Sequence, residues 1–270
     1  MNIAQLTFIG GGNMALALAA GIRRRQPDTR IHVVEPWSEQ HARWSSLADS
    51  IRIAADRSLV AGSDMIVLAV KPQVMAEACA ALVPHLEGEL ILSVAAGSTI
   101  RRLSAWLGGH MRIIRSMPNT PALIGEGMSG LYAPPTVSAG DTALAATLLA
   151  ACGDVLQVAE ESALDAVTAV SGSGPAYVFH WIESLTSAAE AVGFSPDEAK
   201  RLVMKTLRGA LSLAEQSSEP PAVLRERVTS KGGTTEAALA VLAERGVSDA
   251  YIAAIEAARR RAETLGRAED

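Results

Sequence analysis

The sequence contains little of what marks a secreted or membrane-spanning protein. It has two cysteines, Cys79 and Cys152, with no metal-type spacing to a neighbour, and so few are typical of a reduced, intracellular chain. No apolar run approaches the roughly 18–20 residues needed to cross a bilayer. The first strand pattern follows Met1 almost at once, which leaves no room for a signal peptide. We therefore expect a soluble, cytoplasmic protein without a membrane partner.

Positive charge is also scarce. The 24 Lys and Arg residues are outnumbered by 29 Asp and Glu residues, and the formal net charge is -5. A protein that binds nucleic acid through its phosphates needs a basic surface. The short basic runs at residues 23–25 and 259–261 lie near the ends of predicted helices, where cations favour the helix dipole. We expect no nucleic-acid partner.

Aromatic residues make up only 4% of the chain, whereas hydrophobic residues make up 49%. This composition excludes a disordered chain and favours helices that pack closely on small side chains. With 270 residues, the chain can form one large domain or two medium ones.

The first part of the chain alternates short apolar blocks with helix-period segments. Predicted strands are residues 4–9, 30–35, 51–54, 64–69, 89–94, 112–116, 128–132 and 155–159, and predicted helices are 13–25, 38–47, 72–82, 99–107 and 138–151. Strands that are apolar throughout, such as residues 65–70, are typical of a parallel sheet covered on both faces. The alternation predicts a doubly wound α/β domain over residues 1–159.

Helix patterns dominate residues 160–270. Ser195 and Glu198 have the spacing of a capping box, with Pro196 in the first turn. The last helix repeats apolar residues three and four apart, as at Ile252 and Ile255. We predict an all-helical C-terminal domain whose small core favours self-association through its helices.

A glycine turn joins the first strand to the first helix. Gly10 permits the tight turn, Gly12 lets the backbone approach a pyrophosphate, and Ala15 keeps helix and strand close. Asn13 and Met14 begin the helix, whose N-terminus favours phosphate. Because the turn lies between a strand and a helix near the chain start, it predicts a dinucleotide site.

Glu35 ends the second strand, twenty residues beyond Ala15. A carboxylate here accepts hydrogen bonds from the ribose hydroxyls of NADH and repels the 2′-phosphate of NADPH. The nearest cations, Arg30 and Arg43, do not directly follow the strand. We therefore expect NAD(P)H, with NADH favoured, although a solvated strand-end Glu35 is the alternative.

Two later strand ends carry further candidates for the cofactor site, because open parallel sheets bind ligands beyond the carboxyl ends of their strands. Lys71 and Pro72 follow the fourth strand. The small residues Ala95, Ala96 and Gly97 follow the fifth strand and predict room for a nicotinamide ring.

Three segments place small polar residues in apolar surroundings: residues 117–121, 171–177 and 228–235. Each is compatible with a simple turn. The third joins Ser230 and paired glycines to an alanine-rich helix, which is the composition of an anion site that fits a small carboxylate.

Together these segments closely resemble the pyrroline-5-carboxylate reductase family, which makes L-proline. The resemblance covers essentially the full length. It rests on the glycine turn, Ala69-Val70-Lys71-Pro72, Asn119-Thr120-Pro121, and the segments at residues 171–177 and 229–235, which occur in the family's order.

The resemblance implies a Rossmann domain followed by a helical domain that interlocks with a second subunit in dimers, often in rings of five dimers. It implies that Asn119 and residues 69–72 belong to the cofactor site. It also places Thr168 near the substrate's ring nitrogen. The substrate carboxylate is then held at residues 230–235, by Ser230, Gly232, Gly233, Thr234 and Thr235.

Two departures from the family are visible. Lys231 stands where many members have proline, and its ammonium either attracts the carboxylate or points to solvent, which we favour. The other departure is Glu35, because many relatives carry residues after this strand that accept a 2′-phosphate. Asp56 stands where relatives often have asparagine near the adenosine ribose, and the two carboxylates put a preference for NADPH in doubt.

The expected reaction is hydride transfer from reduced nicotinamide to the C=N carbon of 1-pyrroline-5-carboxylate. Thr168 is the candidate catalytic residue, as a hydrogen-bond donor to the ring nitrogen or a proton relay through water. The five histidines form no ligand pattern, so we expect no catalytic metal. The alternatives are a β-hydroxyacid dehydrogenase-like reductase of another small carboxylate, and a non-catalytic dinucleotide-binding or redox-sensing protein.

Overall fold

The computed structural model describes residues 2–47 and 51–267, and strands and helices alternate through the first part of the chain. The strands are β1 (Gln5–Ile9), β2 (Arg30–Val34), β3 (Ile51–Ala54), β4 (Met65–Leu68), β5 (Leu90–Ser93), β6 (Ile113–Met117), β7 (Gly127–Tyr132) and β8 (Gly153–Gln157). The helices of this part are α1 (Asn13–Arg25), α2 (Ser38–His41), α3 (Pro72–Ala80), α4 (Ile100–Trp106), α5 (Ala139–Ala150) and α6 (Ala163–Val167).

Within the described residues the strands form one eight-stranded sheet in the order β3-β2-β1-β4-β5-β6-β7-β8. The order reverses direction between β1 and β4, which is the switch point where doubly wound sheets bind ligands. The predicted α/β class is confirmed.

The sheet is not parallel throughout, because β7 pairs antiparallel with β6, whereas β8 pairs parallel with β7. The β6–β7 connection holds only the 3₁₀ turn Thr120–Ile124. A parallel crossover needs a dozen or more residues, so this short connection returns the chain in the opposite direction.

Alternate residues of the central strands enter two separate apolar cores. Phe8 and Val67 belong to one core with Leu18 of α1. Ile9 and Ile66 belong to the other core, with buried side chains of α3 and α4. Because strand side chains alternate between faces, helices cover the sheet on both sides.

The predicted helix at residues 38–47 forms only in part. α2 ends at His41, and a 3₁₀ turn follows at Ala42–Leu47. Trp44 in this turn is buried, and its ring centroid lies 6.0 Å from that of Phe8. We attribute the tighter turn to this contact, which a helix-period pattern does not report.

The C-terminal helices are α7 (Gly174–Ala191), α8 (Pro196–Gln216), α9 (Pro221–Arg227), α10 (Thr234–Glu244) and α11 (Val247–Arg267). The predicted capping box is present at the start of α8, with Ser195 and Glu198 bonded reciprocally. No helix among the described residues is long and apolar enough to cross a membrane.

The chain divides into two compact units, residues 1–175 with 257–270, and residues 176–256. The sequence-based boundary between residues 159 and 160 stays a prediction for the domains. The first unit extends past that boundary since α6 packs on β6 and β7, and Arg102 donates a hydrogen bond to the carbonyl of Gly266 in α11 (3.4 Å).

Candidate cofactor and substrate sites

The glycine turn begins in a conformation that only glycine adopts readily. Gly10 has φ +95°, and a Cβ on it would lie 2.8 Å from Cγ1 of Val70 and 3.0 Å from the carbonyl oxygen of Ala69. Its N–H donates to the carbonyl of Val34 (2.9 Å). The turn therefore lies directly against the ends of β2 and β4, and residues 69 and 70 form its wall.

The start of α1 is open to a ligand. Gly12 is the N-cap residue, and a Cβ built on it meets nothing within 4 Å. The first intrahelical hydrogen bond of α1 runs from the Leu16 N–H to the Gly12 carbonyl (3.0 Å). The N–H groups of Asn13, Met14 and Ala15 precede it and lack an intrahelical acceptor, so this end of α1 fits a pyrophosphate.

Glu35 is buried beside this turn, with 7% of its surface exposed. Its Oε2 accepts the N–H of Gly11 (2.8 Å), and its Oε1 accepts the N–H of Trp37 (3.0 Å). The carboxylate therefore fixes both the glycine turn and the segment after β2. Its remaining lone pairs are the acceptors left for a ribose hydroxyl.

Sequence reasoning missed Trp44 as a residue of the site. Its indole N–H donates to the carbonyl of Gly11 (3.0 Å), so Gly11 is held on both its N–H and its carbonyl. No motif in the sequence marks Trp44, and its burial is visible only in the fold. The neighbouring Arg43 bonds to Oδ1 of Asn13 and to Oε1 of Gln40.

The other strand ends carry the predicted cofactor residues at the same edge of the sheet. Lys71 is the exposed N-cap residue of α3, and Pro72 is in its first turn. Ala95 is buried after β5. Gly97 has φ +76° and lies against α11, where a Cβ would be 3.4 Å from Leu265. Ala96 lies between these two residues and is partly exposed.

Asp56 caps the 3₁₀ turn Arg57–Val60. One carboxylate oxygen accepts the Ser58 N–H (2.9 Å) and the other accepts the Ser58 hydroxyl (2.7 Å). These bonds hold the pKa of the Asp56 carboxyl below its ordinary value. The residue is exposed and ionised beyond the end of β3.

Thr168 begins a π-helical turn, Thr168–Gly172, that interrupts the helical run between α6 and α7. Its hydroxyl donates to the carbonyl of Leu164 (2.7 Å), and its own carbonyl accepts the N–H of Ser173 (2.8 Å). The sequence left residues 171–177 open to a simple turn and did not predict this geometry. Single π turns within helices occur frequently at functional sites.

Asn119 joins this turn to the sheet. Its side-chain oxygen accepts the N–H of Met128 (2.9 Å), and its Nδ2 donates to the carbonyl (3.3 Å) and hydroxyl (3.2 Å) of Ser171. The structure thus bonds Asn119 to the turn that begins at Thr168, although the two residues were assigned to different ligands.

The 230–235 segment lies in the second unit and opens α10 as expected for an anion site. Gly232 has φ +72°, and Gly233 is the N-cap residue, where a Cβ would lie 2.5 Å from the hydroxyl of Ser230. However, the Gly233 N–H donates to the Ser230 carbonyl (3.0 Å), and the Gly232 N–H donates to Glu236 (2.6 Å). These two glycine N–H groups are therefore engaged within the turn in this structure. The first-turn N–H groups of Thr234 and Thr235 are the donors that a helix start leaves without an intrahelical acceptor.

A charged cavity of about 470 Å³ in the first unit was not predicted from the sequence. Arg115, Glu161, Asp165 and Glu263 line it with Gly97. Arg115 is 5% exposed and pairs with Glu161 (2.8 Å). Burial raises the pKa of the Asp165 carboxyl, partly offset by the charge of Arg115. The residue types carry no motif, so only the fold reveals this cluster.

Metal ligation finds no support among the residues that the structure describes, because they contain no group of three or more His, Cys, Asp or Glu side chains that could hold an ion. Burial raises the pKa of the Cys79 thiol to about 12, so this thiol is protonated at neutral pH.

Comparison with known proteins decides the family. The chain is 43% identical over 267 residues to a pyrroline-5-carboxylate reductase of Pseudomonas aeruginosa, covering 98% of each chain. It belongs to the pyrroline-5-carboxylate reductase family. The family model for pyrroline-5-carboxylate reductase dimerisation matches residues 161–265, and a model described as NADP oxidoreductase coenzyme F420-dependent matches residues 5–97.

Solved structures of the family have the same fold. The chain is similar to a pyrroline-5-carboxylate reductase from Coxiella burnetii, with a TM-score of 0.90 and 36% identity over 98% of this chain and 99% of that one. It is also similar to a pyrroline carboxylate reductase from Plasmodium falciparum with NADP bound, with a TM-score of 0.86 and 29% identity over 97% and 98% of the two chains.

Proposed function

We propose that this protein reduces 1-pyrroline-5-carboxylate to L-proline with hydride from NAD(P)H, the final step of proline biosynthesis. The observation that carries the proposal is the full-length similarity to the Pseudomonas aeruginosa reductase at 43% identity. The open helix start at Gly12, at the switch point of the sheet, supports it independently.

The cofactor is proposed to lie along the strand ends of the first unit. Gly10, Gly12, Asn13 and Met14 hold the pyrophosphate through the start of α1. Asp56 and Glu35 face the adenosine ribose. The remaining contacts are assigned to the later strand ends, at Ala69, Val70, Lys71, Pro72, Ala95, Ala96 and Gly97.

The substrate carboxylate is proposed to bind at the start of α10. Thr234 and Thr235 offer first-turn N–H groups and hydroxyls, and Ser230 offers a further hydroxyl. Gly232 and Gly233 shape the turn, since a side chain at Gly233 would collide with Ser230. The exposed Lys231 adds positive charge to this turn.

Thr168 is proposed to hold the ring nitrogen. When bound, the reduced nicotinamide supplies the hydride that the C=N carbon accepts. Because the Thr168 hydroxyl donates to Leu164, its oxygen presents accepting lone pairs, which suit a protonated imine nitrogen. Rotation of the hydroxyl away from Leu164 allows it to donate instead, so the same group suits a proton relay.

The decisive experiment is steady-state kinetics with pyrroline-5-carboxylate and each reduced nucleotide. We expect cofactor oxidation that depends on pyrroline-5-carboxylate. Oxidation only with a different small carboxylate would favour the hydroxyacid dehydrogenase-like alternative, and no oxidation with any substrate would favour a non-catalytic dinucleotide-binding protein.

The role of Thr168 is tested by Thr168→Val, which keeps the side-chain shape and removes the hydroxyl. We expect kcat to fall by about 10–100-fold, the range of a modest acid–base or orienting contribution. Thr147→Val is the matched control, because the Thr147 hydroxyl makes the same bond to the carbonyl four residues earlier (2.8 Å). Full activity of Thr168→Val would remove Thr168 from the mechanism.

NADH is the proposed preferred cofactor. The argument is the carboxylate of Glu35, which is fixed beside the glycine turn and would repel a 2′-phosphate. We expect kcat/KM for NADH to exceed that for NADPH, and Glu35→Gln to reduce the difference. A strong preference of the wild-type protein for NADPH would refute this assignment.

Self-association is proposed to occur through the C-terminal helices, as the match to the family's dimerisation model supports. Large apolar side chains are exposed on these helices, among them Phe179, Trp181, Leu211 and Ile252. Light scattering should give twice the 28.2 kDa of one chain, or ten times that mass for a pentamer of dimers. A monomer at micromolar concentration would contradict the proposal.

A cytoplasmic location without nucleic-acid or membrane partners is proposed on two grounds. The cysteines are free and buried, which fits a reducing compartment. The net charge of -5 disfavours binding to phosphate backbones and anionic lipid surfaces.

A further inference from the structure

The side chain of Asn119 is held entirely by protein groups from two elements. Met128, in β7, donates its N–H to the Oδ1 atom (2.9 Å), and Nδ2 donates to the carbonyl and hydroxyl of Ser171. A backbone N–H can only donate and a backbone carbonyl can only accept, so these partners fix which way the amide points. Asn119 is thus a directional bridge from the sheet to the π-helical turn.

The π-helical turn to which Asn119 donates its hydrogen bonds also contains Thr168. Ser171 follows Thr168 by three residues, within the turn Thr168–Gly172. Gly172 packs against β6, where a Cβ would lie 2.6 Å from Cε of Met117. The turn is therefore fastened at two neighbouring positions, by hydrogen bonds at Ser171 and by close packing at Gly172.

Because the turn is π-helical, the position of Thr168 depends on the hydrogen bonds at Ser171 and the packing at Gly172. The bond from Ser173 N–H to the Thr168 carbonyl (2.8 Å) spans five residues, and π turns are rare because this pattern is less favourable than that of an α-helix. Without a tertiary contact, the segment would relax toward α-helical geometry. That change would rotate residues 168–172 relative to the sheet.

We propose that Asn119 is a positioning residue, which acts through Ser171 to hold the π-helical turn and with it the hydroxyl of Thr168. The proposal rests on the proposed role of Thr168 in reduction of the imine. It differs from the sequence-based assignment of Asn119 as a cofactor contact, because the amide is already engaged on both its oxygen and its nitrogen by protein groups.

The variant that isolates this role is Asn119→Asp. It keeps an oxygen to accept the Met128 N–H but replaces the donor to Ser171 with a second oxygen, which faces the Ser171 carbonyl. We expect kcat to fall at least tenfold, because small misplacements of a catalytic group cost about that much or more. KM for the reduced nucleotide should stay within about twofold, in contrast to the loss of a cofactor contact.

A double-mutant cycle tests whether the effect passes through Thr168. In a Thr168→Val background, Asn119→Asp should change kcat by less than about twofold, because the hydroxyl that it positions is gone. An equal loss in both backgrounds would overturn the proposal. A raised nucleotide KM with an unchanged kcat would overturn it in favour of cofactor binding.

A milder pair of variants guards against misfolding. Ser171→Ala removes one of the two acceptors of Asn119 and should lower kcat by a smaller factor in the same direction. Ser184→Ala is its control, because the Ser184 hydroxyl bonds only within its own helix, to His180 (2.9 Å). A fall in kcat for Ser184→Ala as large as that for Ser171→Ala would count against a specific role of the Asn119–Ser171 hydrogen bonds.

Hydrogen exchange at the Ser173 amide gives a readout that does not need activity. Asn119→Asp should accelerate this exchange by at least tenfold relative to the amides of α5, since the π-turn bond is released. If the protein does not reduce pyrroline-5-carboxylate, the proposed function fails. Faster exchange would still support the inference that Asn119 holds the π-helical turn. Unchanged exchange would overturn the clamp even in an active reductase.

Discussion

Two glycine-bearing helix starts in this protein are built by opposite means. At the start of α1, Gly11 is held by Glu35 and Trp44, which lie 24 and 33 residues along the chain. At the start of α10, Gly232 is held by Glu236, four residues away, and Gly233 by Ser230, three residues away. The first depends on distant contacts and the second on neighbours in sequence.

The two starts also differ in exposure. Gly10, Gly11 and Glu35 are buried, whereas Ser230, Gly232 and Glu236 are exposed. A buried start held by distant residues forms only when β1, β2 and the 3₁₀ turn of Trp44 are assembled. A local start can form without the sheet, and its groups stay accessible for a ligand. The comparison predicts that equivalent changes cost more at α1 than at α10.

The largest effect is expected for Gly10→Ala. The residue combines φ +95° with a Cβ that would lie 2.8 Å from Val70, so strain and overpacking add to about 2–5 kcal/mol of lost stability. Urea unfolding with the change in midpoint measures it. Gly62→Ala is the control, because Gly62 has φ +70° but open space around its Cβ. Equal losses in the two variants would show that the contact with Val70 is unimportant.

The next effect is expected for Glu35→Ala. The change leaves the buried N–H of Gly11 without its acceptor, which costs about 1–3 kcal/mol. It also removes the acceptor of the Trp37 N–H, which is only partly buried and adds less. The same variant should weaken nucleotide binding, because the glycine turn loses its clamp. Urea unfolding and nucleotide titration measure the two effects. A change in the free energy of unfolding below about 0.5 kcal/mol would show that the hydrogen bonds of Glu35 to the glycine turn are dispensable for stability.

A smaller effect is expected for Glu236→Ala at the local start. An exposed carboxylate in the first turn of a helix contributes about 0.3–1 kcal/mol through the dipole and its capping bond. The free energy of unfolding should therefore change less than in Glu35→Ala. A loss as large as that of Glu35→Ala would break the comparison between distant and local clamps.

The smallest effect is expected at the start of α8, which is also local. Two hydrogen bonds from Ser195 lower the pKa of the exposed Glu198 carboxyl. A lowered pKa means that the bond stabilises the folded protein above the unfolded-state pKa and is lost as the pH falls through the folded-state value. Ser195→Ala should return the pKa of Glu198 toward its ordinary value in an NMR titration. An unchanged pKa would exclude the Ser195 hydroxyl as a cause, since the variant keeps the backbone N–H that also donates to Glu198.

These differences explain which features sequence reasoning predicted. The helix Asn13–Arg25 was predicted to the residue, and so was the capping box at Ser195, because both depend on neighbours along the chain. The antiparallel β7 was missed, because strand direction depends on the path of a connection rather than on residue pattern. The shortened α2 was missed because a tertiary contact of Trp44 competes with helix propensity.

The candidate site shows the same division. A turn that requires glycine could be predicted in both helix starts, since Gly10 and Gly232 have the positive φ angles that favour glycine. The partners of those turns could not be predicted fully. Glu35 was expected to face a ribose, and its bonds to Gly11 and Trp37 became visible only in the fold.

The sequence by itself determined the alternation of strands and helices, the two glycine turns and the family. Each of these is identified from patterns or motifs of residues that are close together along the chain. The tertiary structure alone decided that Asn119 grips the π-helical turn of Thr168, that Glu35 and Trp44 fix Gly11, and that Arg115 is buried beside Glu161. These contacts join residues that are distant in sequence. Their geometry depends on how whole elements pack, which no local pattern specifies.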